Sequence, residues 1–206
     1  MITLWLACSL TIYSDDDTLY WMTKAAKKGD VQSQLTVAHA HLNAINTEKN
    51  IKEATFWYKK AAHANAAEAQ YQLALLQLDS QPESAYKWFK KAATQNHAAA
   101  QYRLAKLYQS QTNLKQAESW YLKAAQQAHK QAQYDLAKLY QSPDTLDLNA
   151  AFSWVKQAAE QNHALAQYEL ALMYLSGNGC DQNTNMAIYW FKQAANQTIA
   201  DAQYQL

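Results

Sequence analysis

Three histidines stand at one recurring place. His97, His129 and His163 each lie nine residues after a tryptophan, and imidazole is the commonest metal ligand in proteins. Equivalent positions on stacked helical units sit at least one helix spacing apart, about 8–10 Å. Zinc–nitrogen bonds are about 2 Å, so such histidines do not readily share one ion. The expectation is a turn residue beside a helix N-terminus, and no metal ligand is assigned. The segment SGNGCDQN at 176–183 is glycine-rich, as phosphate cradles are. It follows a helical pattern rather than a strand and lacks the phosphate-binding lysine, which makes it a structural loop. Cys180 lies in that loop and Cys8 near the other end of the chain. A disulfide does not span the ends of an elongated array, so Cys180 reads as a free thiol. Lysines at Lys59–Lys60, Lys90–Lys91 and Lys123 suit RNA or an anionic surface. With 18 basic and 17 acidic residues and a net charge of +1, they read as a solvated helix face. A nucleic-acid partner is not expected. No catalytic residue and no cofactor is assigned either.

The elements that carry these residues repeat. Trp21, Trp57, Trp88, Trp120, Trp154 and Trp190 are each followed by an alanine pair four and five positions later and by a glutamine at the thirteenth. Those glutamines are Gln34, Gln70, Gln101, Gln133, Gln167 and Gln203. The composition is that of a helix former, with 39 Ala and 24 Gln against 3 Gly and 2 Pro among 206 residues. In the second unit Ala54, Trp57, Tyr58, Ala61 and Ala62 follow the period of one helical face. This reads as a first helix with the tryptophan as its core knob. Gly29, Asn65, Asn96 and Asn162 stand eight after Trp, where a left-handed residue ends a helix. Ala128 and Thr198 at that place give a weaker or different cap. Segments such as AQYRLAKLY at 100–108 and AQYDLAKLY at 132–140 supply a second helix. Two short helices iterated along a chain bury their apolar faces only by stacking on neighbours.

These units resemble Sel1-like repeats, relatives of the tetratricopeptide repeat. The nearest match is AQYELALMYLSGNGCDQNTNMAIYWFKQAA at 166–195, with its Ala-Gln, Leu-Ala, G-x-G loop and A-x-x-W-x-x-x-A-A run. The resemblance covers roughly residues 18–206; the units starting at Gln70, Gln101 and Gln133 lack both loop glycines. It implies an all-α, right-handed α/α superhelix of about five to six helix pairs forming a single domain over 1–206. It also implies protein–protein interaction, with a bacterial periplasmic, envelope or secreted setting favoured over the cytoplasm. Some cysteine-rich relatives have been linked to β-lactam binding. A cell-wall or lactam-acting hydrolase is therefore the alternative to a binding scaffold, although the paired cysteines and an S-x-x-K motif are lacking.

Residues 1–13 permit two readings. One is a signal remnant ending at LAC before Cys8, with a lipid anchor if Cys8 is a lipoprotein cysteine. The other is the second half of an earlier Gln-type helix, followed by a turn with Asp17 as N-cap. No run approaches the 18 apolar residues of a membrane span. At the other end Leu206 falls inside a Gln-type helix.

At about 100° per residue, the core stripe of the Gln helix centres near −15° and positions +1, +5 and +8 fall on the far side. By analogy with tetratricopeptide arrays that side lines a concave groove. Its occupants are Tyr71, Tyr102, Tyr134 and Tyr168 at +1, Lys106 and Lys138 at +5, and Gln109 and Gln141 at +8. Tyr204 belongs to the same series. Two roles stay open for these tyrosines: contact with a protein or peptide partner, which the lysines would favour as acidic, or packing against adjacent helices.

Overall fold

The computed structural model describes residues 15–197 and 199–205, and the side chains of 18–197, 199–203 and 205. Both readings of residues 1–13, with Cys8, lie outside that range, as do the cap at Thr198, the side chain of Tyr204 and the end at Leu206. The described residues form twelve α-helices, one 3-10 turn at Pro143–Thr145, and no strand. They belong to two compact units that divide between Trp88 and Phe89, inside helix α5 (Pro82–Thr94).

The first unit holds α1 (Asp15–Lys27), α2 (Val31–Asn43), α3 (Ile51–His63), α4 (Ala67–Gln77) and the first half of α5, with α1 packed on α2, α2 on α3 and α3 on α4. Helix α1 begins two residues ahead of Asp17, which therefore lies inside the helix rather than capping it. The second unit continues through α6 (Ala98–Ser110), α7 (Leu114–Gln126), α8 (Lys130–Tyr140), α9 (Leu148–Glu160), α10 (Ala164–Ser176), α11 (Thr184–Asn196) and α12 (Ala200–Tyr204). From α6 onward each packs against its successor.

Local chemistry sets the boundaries. The side chains of Asp30, Asn50, Asn113, Asp147 and Asn183 each accept the backbone N–H three residues on, satisfying an orphan donor of the first turn. Between the two helices of a hairpin one residue turns left-handed: Gly29, Asn65, Asn96, Ala128 or Asn162. Ala128 takes φ +58° although its Cβ disfavours that region. In the G-x-G loop Gly177 closes α10 at φ +77°. A Cβ on Gly179 would stand 2.1 Å from the Leu148 carbonyl oxygen, so only glycine lets this loop cross the start of α9. That contact is a packing role, as expected for residues 176–183. Cys180 is free. Burial first, and then Asp181, raises its thiol pKa.

The core stripe of the Trp-bearing helices differs from the expected one. Tyr58, Phe89, Tyr121, Val155 and Phe191, one residue after Trp57, Trp88, Trp120, Trp154 and Trp190, are buried together with the alanines three before and four after each of these five; Met22, after Trp21, is exposed. Trp57 and Trp190 are buried, Trp88, Trp120 and Trp154 only partly, and Trp21 is half exposed. At about 100° per residue the stripe through −3, +1, +4 and +5 centres near +85°, which leaves the tryptophan on its flank. The residue after tryptophan is the knob, worth about 1.5–3 kcal/mol of burial each.

Candidate partner-binding face

The repeating glutamine is a structural residue. Gln34, Gln70, Gln101, Gln133 and Gln167 are buried. Each donates its Nε2 to the carbonyl eight residues back, at the end of the preceding helix, over 3.0–3.2 Å. In the second unit the Oε1 atoms of Gln101, Gln133 and Gln167 accept 2.7 Å hydrogen bonds from Gln127, Gln161 and Gln197 of the following hairpins. This ladder fixes the height at which one hairpin sits on the next.

The expected face of the second unit is a continuous polar and aromatic network. The Tyr102 hydroxyl donates to Asp135 Oδ2 at 3.1 Å, and its ring stacks on His129 with centroids 4.9 Å apart. Lys106 Nζ lies 3.7 Å from the same carboxylate, whose other oxygen accepts from Gln131. One hairpin later, Tyr134 stacks on His163 at 4.8 Å and Lys138 Nζ lies 3.4 Å from Glu169. Gln141 also donates to Glu169, at 3.0 Å. Gln109 accepts the Tyr121 hydroxyl at 2.7 Å, so it supports the core from behind. Tyr168 is partly buried and leans on Phe191 at 5.7 Å. In the first unit Tyr71 is half-buried. There the face also carries a 380 Å³ pocket lined by Gln32, Leu35, Thr36, His39, Tyr58 and Glu68.

Asp135 and Glu169, two residues after the repeating glutamine, are the members of this face that the sequence reading missed. Their signal was an acidic residue at equivalent places in successive units, but the lysine partner of each comes from the hairpin before. Burial, then Asp135, pushes the Tyr102 hydroxyl up to about 12, and burial and Glu169 raise that of Tyr134. Both hydroxyls stay protonated donors at neutral pH rather than acting as bases. His97, His129 and His163 are N-caps whose Nδ1 accepts the N–H of Ala100, Ala132 or Ala166 at 3.2 Å. Since Nδ1 accepts, His163 Nε2 carries the hydrogen and donates to Gln131 Oε1 at 2.8 Å. Among the described residues no three His, Cys, Asp or Glu side chains converge where they could hold a metal ion. No described helix is long and apolar enough to cross a membrane.

The family model for the Sel1 repeat matches residues 16–30, 31–65, 67–97, 98–129, 130–163 and 164–198. No curated protein matches the chain at a significant level. Among solved structures, c5321, described as a protective antigen present in uropathogenic Escherichia coli strains and displaying an SLR fold, is 29% identical with a TM-score of 0.85. The alignment covers 93% of this chain but 44% of that one, so the chain spans less than half the length of that relative. A Sel1 repeat protein from Oxalobacter formigenes is 28% identical over 92% of this chain and 86% of its own, with a TM-score of 0.77. YrrB, a TPR protein, shares the fold at 20% identity, 89% and 96% coverage and a TM-score of 0.56. Six successive repeat matches and the same hairpin packing lead to one assignment: the chain belongs to the Sel1 repeat family.

Proposed function

We propose that the protein is a non-enzymatic scaffold or adaptor that holds an extended or helical peptide segment of a partner along the Gln-helix face of its second unit. Tyr102, Lys106, Tyr134 and Lys138 make the central contacts, flanked by Gln109, Gln141 and Tyr168. Tyr71 and the pocket lined by Gln32, His39 and Glu68 provide further contacts on the first unit. The observation that carries this reading is the exposure within the two ion pairs. Lys106 and Lys138 are 51% and 46% exposed, their partners Asp135 and Glu169 only 16% and 20%. The carboxylates fix the lysines from below, and what faces outward is positive charge beside half-buried aromatic rings. Such a surface suits an acidic segment that carries apolar residues.

Selection of a random displayed peptide library against the protein tests this. Acidic peptides with apolar anchors are expected to enrich. Alanine at Tyr102 or Tyr134 should weaken the selected peptides by about 1–2 kcal/mol each while the helical circular dichroism stays unchanged. Enriched peptides that bind the Tyr102→Ala, Tyr134→Ala double variant as tightly as the parent would sink the proposal.

A further inference from the structure

One rung of the glutamine ladder is incomplete. Gln127, Gln161 and Gln197 stand seven residues after Trp120, Trp154 and Trp190, and each donates Nε2 to the buried glutamine of the hairpin before it. The corresponding residue after Trp57 is Ala64. Gln34, only 6% exposed, still donates to the Ala26 carbonyl at 3.1 Å. Its Oε1 is buried without a hydrogen-bond partner among the described residues. A second truncation lies beside the first. Asn65, Asn96 and Asn162 direct their Oδ1 onto the glutamine five residues on, but before Gln34 that place is held by Gly29, around whose missing Cβ there is nothing within 4 Å. The two small residues open a pocket of 610 Å³ lined by Gly29, Gln34, Phe56, Lys59, Lys60, His63 and Ala64, all within the first unit.

We propose that this pocket binds the side-chain carboxamide of a glutamine or asparagine in an acidic segment of a partner protein. The chain itself shows what fits. At the equivalent rung Gln127 places its amide 2.7 Å from Gln101 Oε1 and 3.2 Å from Asn96 Oδ1. A partner's amide replaces that internal one and supplies the N–H that Gln34 Oε1 lacks. An ammonium or guanidinium group also donates hydrogen bonds, but Lys59 and Lys60, both exposed and in no ion pair among the described residues, repel it. The same lysines attract carboxylates on either side of the amide. Phe56 and the face of Ala64 provide apolar walls, and Lys60 Nζ lies over the Phe56 and Trp57 rings at 4.9 and 5.5 Å. The volume lies in the range of ligand pockets, about 300–1,000 Å³, and takes a glutamine together with its neighbours rather than one side chain alone. Gln34 Oε1 is shielded from bulk water, so binding requires a rim side chain to swing aside as the amide enters. This site is independent of the Gln-helix face of the second unit.

The probe is N-acetyl-Glu-Gln-Glu with a free C-terminal carboxylate, titrated into the full chain and followed by the side-chain amide resonance of Gln34 and the backbone amides of Phe56 and Ala64. Saturable shifts are expected below about 10 mM. N-acetyl-Glu-Leu-Glu, which lacks the amide, should bind about tenfold or more weaker, as expected when a buried polar group is left unpaired. Ala64→Gln builds the internal occupant and should abolish the shifts. Ala64→Leu, which fills the pocket without an amide, should do the same, and circular dichroism establishes that each variant is folded. Equal affinity for the two peptides would reduce the site to charge attraction and overturn the proposal. So would the same shifts in either variant, or no shift at about 10 mM peptide.

Discussion

Within each unit a few side chains set the packing, and their importance is poorly matched to their size. Tyr121 is wholly buried, and its hydroxyl holds Gln109 at 2.7 Å. Trp120 is only partly buried and carries Lys123 Nζ 4.0 Å above its ring. Tyr121→Ala opens a cavity and orphans a polar group, so a loss of about 3–5 kcal/mol is expected. Trp120→Ala removes a larger ring from a half-solvated flank and should cost less, about 1–3 kcal/mol. Urea unfolding of the two variants checks the order, and a greater loss at Trp120 would return the tryptophan to the centre of the core. The six tryptophans were the clearest mark of the repeat because they are rare and large. That visibility drew the core stripe onto them, although the angles of the flanking alanines point to the next residue. The glutamines show the reverse. Their period was plain from the sequence, but their two hydrogen-bond partners were not, because one lies eight residues back across a turn and the other on a different hairpin.

At the scale of the element, the helix starts differ in how they respond to pH. The caps at Asp30, Asn50, Asn113, Asp147 and Asn183 use oxygen acceptors. Helices α6, α8 and α10 instead begin on an imidazole Nδ1 that works only while unprotonated. Burial holds His129 and His163 below the ordinary 6.5, more strongly than the nearby Asp135 raises them. The folded form thus favours the neutral ring, while the unfolded chain takes up protons first as pH falls through about 6.5. The sign follows from linkage: this stability is present above the unfolded value and is lost as pH drops below it toward the folded ones. The melting temperature should fall between about pH 7 and pH 5. Replacing both histidines by asparagine keeps a cap worth about 1 kcal/mol and should flatten that profile. An unaltered slope in the double variant would assign the effect to other groups. The recurring histidines were legible as turn residues near helix starts. Their hydrogen bonds and tautomer were not, since the sequence does not give ring orientation.

Over the whole molecule the charge nearly cancels, at +1 for 206 residues. An incoming partner therefore feels little steering from the protein as a whole, and what steering there is comes from local clusters within about a Debye length, ~8 Å at physiological salt. On the second unit those clusters are the outward ends of the Lys106 and Lys138 pairs. Their position opposite the Leu-Ala stripe followed from helix angles alone, but their pairing with Asp135 and Glu169 depends on how one hairpin seats on the next. A glutamate at either lysine would face a carboxylate at close range and strain the stack, whereas glutamine removes the charge and can still donate to it. Lys106→Gln with Lys138→Gln should slow association of an acidic peptide by about three- to tenfold at low salt and raise its dissociation rate as the two contacts are weakened. Because the lost attraction is screened, the gap between parent and variant should narrow steadily as salt is raised toward 1 M, where the Debye length is about 3 Å. Stopped-flow association measured across that range decides the matter. A gap in association rate that does not narrow with salt would overturn the idea that the charge of these lysines guides an acidic partner onto the proposed tyrosine-lined face.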